Sequence, residues 1–128
     1  MARDFAAVDA RLRSILEPYR ASLSTTKEGP RGLVLEIPGL EGKPWGFVAG
    51  VRPGKRYVSF YLMPVYGFRD LFDSMSPELK RRMQGKSCFN FTKVDEPLLA
   101  ELERLTAASV ERYRAAATAA NGARPTLA

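Results

Sequence analysis

Two short runs in this chain alternate polar, chemistry-bearing side chains with apolar ones at the two-residue step of a β-strand. Tyr57, Ser59 and Tyr61 alternate with Val58, Phe60 and Leu62, and Lys86, Cys88 and Asn90 alternate with Ser87, Phe89 and Phe91. If both runs are strands of one sheet, helices cover the Val58/Phe60/Leu62 and Phe89/Phe91 face. The opposite face then presents phenols, a hydroxyl, a thiol, an amide and an ammonium together. With Tyr66 and Arg69 at its mouth, such a face suits an anion or a small polar molecule, because bases pair with the charge and the remaining groups orient it. The same residue types also suit the wet side of a sheet that buries only one face, where Tyr and Ser are common for strand preference alone.

Catalysis on these residues is restricted by what is missing. The chain has no histidine and one cysteine. Ser-His-Asp and Cys-His nucleophile systems and His-containing zinc or iron sites are therefore excluded, as is a four-thiolate site. Lys86, two residues from Cys88 on the same strand face, would favour a thiolate, but no CxxC partner and no base accompany it. Neither GxxxxGK[ST] nor GxGxxG occurs, so common nucleotide chemistry is not indicated. No cofactor is expected, and an enzyme would need Tyr, Lys, Cys or a carboxylate pair as acid and base.

Charge adds direction. The chain of 128 residues carries a formal net charge of +6. Between Gly42 and Lys93 ten bases stand against three acids, so the middle of the chain is the basic part, which points to an anionic ligand or an acidic protein partner. Lys80, Arg81, Arg82 and Lys86 could contact phosphates, and Trp45, Tyr57 and Tyr61 could stack on bases. No RNA-binding motif accompanies them, so nucleic acid is not expected as a partner, sequence-specific binding least of all. Trp45, Tyr57 and Tyr61 also offer an aromatic patch through which two sheets could pair as a homodimer.

The positioning elements follow from periodicity. Phe5, Val8, Leu12, Ile15, Leu16 and Tyr19 recur at helical spacing, and Pro18 should end that helix near Glu17. Residues 22–30 are polar and read as a loop. Strands are predicted over 33–37, 45–51, 56–63 and 86–91, with 52–55 as a turn in which Gly54 takes positive φ. A short helical turn is expected within 68–75. Ser76 should cap a helix with Pro77 at its first position, stopped by Gly85. A long helix begins near Asp95 or Glu96 on the stripe Leu98, Leu102, Leu105, Ser109 and Tyr113.

The expected fold is therefore α+β: an antiparallel sheet of about four to five strands with N- and C-terminal helices packed on one face. A single domain over 1–115 and an Ala-rich tail over 116–128, expected to be disordered, complete the organisation. No apolar run approaches a membrane span and no leader pattern is present, so no membrane partner is expected and a reducing cytoplasm is the default.

On the runs YVSFYLMPVY and SPELKRRMQGKSCFNFTKVDEPLLAELERLT the chain resembles the YdhG-like family, a bacterial domain family of unknown function. The resemblance covers about residues 10–115. It implies a small α+β domain, frataxin-like in layout. One member of the wider family is regarded as a frataxin-like iron chaperone for iron–sulfur and haem assembly. Under that implication Fe²⁺ would be met here by Asp70, Asp73, Asp95 or Glu96.

Overall fold

The computed structural model describes residues 5–43, 46–85 and 87–122. The first helix, α1 (Phe5–Leu16), places Val8, Leu12, Ile15 and Leu16 on one stripe, and all four are buried. Pro18 cannot donate to the helical ladder, so the chain tightens into a 3₁₀ turn over Glu17–Tyr19 before leaving.

Five strands follow: β1 (Ser24–Gly29), β2 (Gly32–Glu36), β3 (Phe47–Pro53), β4 (Val58–Leu62) and β5 (Cys88–Phe91). They lie side by side in chain order and every neighbouring pair is antiparallel. The register separates the two faces. Leu33, Val51, Phe60 and Phe89 form one row across four strands, flanked by Leu35–Ala49–Leu62 and Val58–Phe91. These residues form one core with α1 and with α5 (Glu96–Gly122), whose Leu99, Leu102, Leu105 and Val110 are buried beside them. A fully buried Phe or Leu contributes about 1.5–3 kcal/mol, whereas an exposed ion pair contributes about 0–1 kcal/mol. Burial therefore holds the helices on the sheet, and the Arg11–Glu96 bridge between the two helices (2.9 Å) is secondary. The result is the expected α+β arrangement, a five-stranded antiparallel sheet with the terminal helices on one face. Among the described residues no helix is long and apolar enough to cross a membrane.

Between β4 and β5 the chain makes three short helices, α2 (Met63–Gly67), α3 (Arg69–Asp73) and α4 (Pro77–Lys80). Ser76 caps α4 as expected, its Oγ accepting from the Leu79 N–H (3.1 Å). Glu101 of α5 accepts from both the Ser76 N–H and its hydroxyl, at 2.7 Å each, tying the cap to the long helix.

Several expectations are corrected. The polar stretch 22–30 contains β1, an edge strand whose four central residues are exposed; lacking a buried face, it carries no hydrophobic alternation to read. Gly54 does not take positive φ. β3 extends through Pro53, and the hairpin closes by the Gly54 N–H donating to the Tyr57 carbonyl (2.9 Å), which puts Lys55 and Arg56 at the tip. β4 ends at Leu62, and Met63 already belongs to α2, with Pro64 in its first turn. The helix capped by Ser76 stops at Lys80; residues 82–84 run along β5, and Gly85 (φ +83°) reverses the chain into that strand. Separately, α5 runs to Gly122 and takes in part of the Ala-rich stretch, alanine being the strongest helix former.

Candidate functional site

Strand parity delivers the open face in two rows. Val34, Gly50, Tyr61 and Cys88 are successive partners across β2 to β5, and Arg52, Ser59 and Asn90 are partners across β3 to β5. Tyr57 sits immediately before β4, half-buried. The sequence-nominated residues Tyr57, Ser59, Cys88 and Asn90 are thus brought together, but mainly to bond one another. Ser59, a residue only 6% exposed, donates its hydroxyl to Asn90 Oδ1 at 2.7 Å. The Cys88 thiol points at the same oxygen (3.5 Å). Asn90 Nδ2 donates to Gln84 Oε1 at 2.7 Å, and the Tyr57 hydroxyl reaches that oxygen at 3.4 Å. Behind them the Asn90 N–H donates to the Arg82 carbonyl and the Gln84 N–H to the Cys88 carbonyl, so residues 82–84 shield the outer edge of β5. The group is a polar latch across β4, β5 and the chain leaving α4. The acceptor of the Asn90 amide is fully used.

The other half of the face remains open. The Tyr61 ring meets Phe47 edge to face, centroids 6.4 Å apart and planes at 67°. Gly50 lies beneath: a Cβ there would stand 2.8 Å from the Leu33 carbonyl oxygen and 3.5 Å from the Phe47 ring. The ring contact is an ordinary one; the tight contact is with backbone, so the missing Cβ is what permits the close approach of β2 to β3 here.

Two shallow hollows of about 350 and 480 Å³ adjoin each other here, sharing Arg52 and Tyr61. The first has a floor of Val34, Gly50 and Phe47, with Lys27 and Arg31 at its rim. The second is lined by Lys55, Arg56, Tyr57 and Ser59. Five bases (Lys27, Arg31, Arg52, Lys55 and Arg56) line the pair and no acid does. All five are exposed. Five arginines elsewhere do have carboxylate partners: Arg11 with Glu96, Arg13 with Asp9, Arg20 with Glu28, Arg69 with Asp73 and Arg112 with Asp70. Among the described residues none of the five open-face bases has such a carboxylate partner. The acid on the same sheet face, Glu36, lies beside Phe47 and is engaged by the Thr26 hydroxyl and the Gly42 N–H, each at 2.7 Å.

Tyr66 and Arg69 do not guard this face. Burial of Val65 and Leu71 in the core draws α2 and α3 to the helix side, against α5. There Tyr66 is 59% exposed, while Arg69 pairs with Asp73 at 3.0 Å and lies over the Phe72 ring. Lys86 and Trp45 lie outside the described residues. The basic run after Ser76 is also diverted: Lys80 sits over Phe72 (4.7 Å), and Arg81 and Arg82 border a hollow shared with Glu78 and Asp95.

The acids nominated for iron do not converge. Asp70 pairs with Arg112, Asp73 with Arg69, and Glu96 with Arg11, whose hydrogen bond holds the Glu96 carboxyl below its usual range. Among the described residues no group of three or more Asp, Glu or Cys could hold a metal ion.

Sequence reasoning missed Lys27, Arg31, Val34, Phe47, Gly50, Arg52, Lys55, Arg56 and Gln84. The alternation of Val34 between Leu33 and Leu35 was a usable signal for one of them. Lys27 and Arg31 had none, because their strand and turn read as loop. No family model, curated protein or solved structure matches the chain.

Proposed function

We propose that this chain is a non-enzymatic binding domain whose open sheet face takes an anionic ligand. The observation that carries the reading is the set of five carboxylate-free bases, Lys27, Arg31, Arg52, Lys55 and Arg56, lining two adjoining hollows around Tyr61. Like charges this close raise the free energy of the empty face, and a bound anion relieves the repulsion while forming charge-assisted hydrogen bonds. The anionic small molecule and the acidic protein partner both satisfy this requirement. A homodimer through the same face does not, since each copy would bring five unpaired cations to the seam.

The non-enzymatic reading is supported by the latch. Ser59 spends its proton on Asn90, and Cys88 faces the same amide with no histidine anywhere in the chain to act as base. The iron-chaperone alternative finds three of its four acids, Asp70, Asp73 and Glu96, already paired with arginines. A place near the YdhG-like family and a cytoplasmic setting complete the proposal, supported by the two sequence runs and by the single cysteine.

The test is an NMR titration of the whole chain with inorganic triphosphate. Amide shifts should concentrate at Lys27, Arg31, Arg52, Lys55, Arg56 and Tyr61, and the double reversal Arg52→Glu with Lys27→Glu should abolish them. Absent shifts, or shifts scattered over the helix side, would refute the proposal.

A further inference from the structure

We infer that the anion accepted by the open sheet face is a single strand of nucleic acid, its bases on Tyr61 and Phe47 and its phosphates on the surrounding bases. The inference rests on the anion-binding reading above and narrows it. Charge alone does not discriminate among polyanions; the aromatic content of the two hollows does.

The first hollow is an apolar and aromatic floor, Val34, Gly50 and Phe47 with Tyr61 at its side, inside a cationic rim of Lys27, Arg31 and Arg52. The second repeats the pattern with Tyr57 and Tyr61 inside Arg52, Lys55 and Arg56. Arg52 and Tyr61 belong to both, so cation and ring recur from one hollow to the next. A nucleic-acid strand repeats in the same way, with a flat base and an anionic phosphate in each unit. A base has a π-face that stacks on an aromatic ring whatever its sequence, and the phosphate beside it meets an arginine.

An acidic peptide fits less well. Its carboxylates would meet the negative faces of Tyr61 and Phe47, and its charges need no rings. An inorganic anion uses the rim and leaves the apolar floor of the first hollow unfilled. The hollows are open rather than enclosed, and with the Ser59 hydroxyl bonded to Asn90 they meet base edges with flexible cationic side chains rather than a fixed array of donors and acceptors. Binding should therefore tolerate sequence, in keeping with the absence of a sequence-reading motif. This departs from the expectation that nucleic acid is not a partner, while the reading against sequence-specific binding stands.

The experiment compares three probes on the whole chain by fluorescence anisotropy and competition: a six-nucleotide oligothymidylate, polyglutamate and inorganic triphosphate. The expected result is that the oligonucleotide binds tightest. Tyr61→Leu, which keeps apolar bulk, should weaken the oligonucleotide about tenfold and leave triphosphate unchanged. Arg52→Gln should weaken oligonucleotide and triphosphate alike and lower the salt slope by about 0.7 for the lost phosphate contact. Arg104→Ala, on the helix side, should change nothing. Far-UV circular dichroism and urea midpoints establish that each variant is folded, and Phe47→Leu provides a second aromatic variant should Tyr61→Leu be unstable. Equal binding of all probes with no effect of either ring variant would overturn the nucleic-acid inference and leave the anion-binding reading standing. Polyglutamate binding tightest would overturn it in favour of an acidic protein. No binding of any probe would overturn both.

Discussion

Replacing Asn90 with Ala tests whether the polar latch is structure or a vacant site. In the folded chain Asn90 Oδ1 accepts from the Ser59 hydroxyl at 2.7 Å, and Ser59 is 6% exposed. Asn90→Ala strips that hydroxyl of its acceptor where water reaches it poorly, and an unsatisfied buried hydroxyl costs about 1–3 kcal/mol. The Gln84 amide is exposed and re-solvates, and a thiol is a weak donor, so neither adds much. For a chain of this size the cost corresponds to roughly 4 °C of melting temperature per kcal/mol. Ser59→Ala leaves Asn90 half-exposed and should cost less, about 0.5–1.5 kcal/mol. The double variant leaves no orphan, so its loss should fall short of the sum by about 1 kcal/mol. Urea unfolding followed by circular dichroism measures all three. If the losses add, or if Asn90→Ala costs under about 0.5 kcal/mol, water already fills the network, and Ser59, Cys88 and Asn90 return to the set of groups available to a ligand.

Three further outcomes are expected. Gly50→Ala places a Cβ 2.8 Å from the Leu33 backbone oxygen, and since backbone yields poorly it should cost about 1–3 kcal/mol by thermal melting; an unchanged melting point would show that β2 and β3 part freely. Ser109, fully buried in α5, has a hydroxyl with no partner among the described residues, so Ser109→Ala should raise stability by about 1 kcal/mol, and a loss in urea unfolding would reveal an undetected bond. Glu28 and Glu96 are held below the usual carboxylate range by hydrogen bonds from Arg20 and Arg11 respectively. A depressed folded-state pKa means that the unfolded chain takes up protons first on acidification. Their contribution is therefore complete above the unfolded value of about 4.3 and is lost as pH falls through the folded one. Glu28→Gln with Glu96→Gln should flatten the acid limb of the stability profile, with less effect at high salt; an unchanged limb would mean that neither pair forms in solution.

How much of this was legible depends on whether a residue is buried on one face. Val8, Leu12, Ile15 and Leu16 announced α1, and Phe60, Leu62, Phe89 and Phe91 announced the inner face of the sheet, because burial forces a period on the chain. β1 gave no such sign: Thr25, Thr26 and Lys27 are exposed and held by backbone pairing, which is indifferent to side chains. Gln84 was equally hidden, since it meets Tyr57 and Asn90 only after Gly85 folds the chain back along β5.

The sequence by itself determined the fold class, the inward parity of the central strands, the capped start of α4 at Ser76 and the absence of histidine chemistry. Each is a property of one residue or of a local period. The tertiary structure alone decided which bases share a surface. Lys27, Arg31, Arg52, Lys55 and Arg56 come from two hairpins and meet because β1 to β4 pair in chain order, whereas the more conspicuous run at Lys80–Arg82 is drawn away by the seating of α3 and α4 on α5. Exposed charges impose no period on a chain, so their convergence is set by strand register and by the packing of their neighbours.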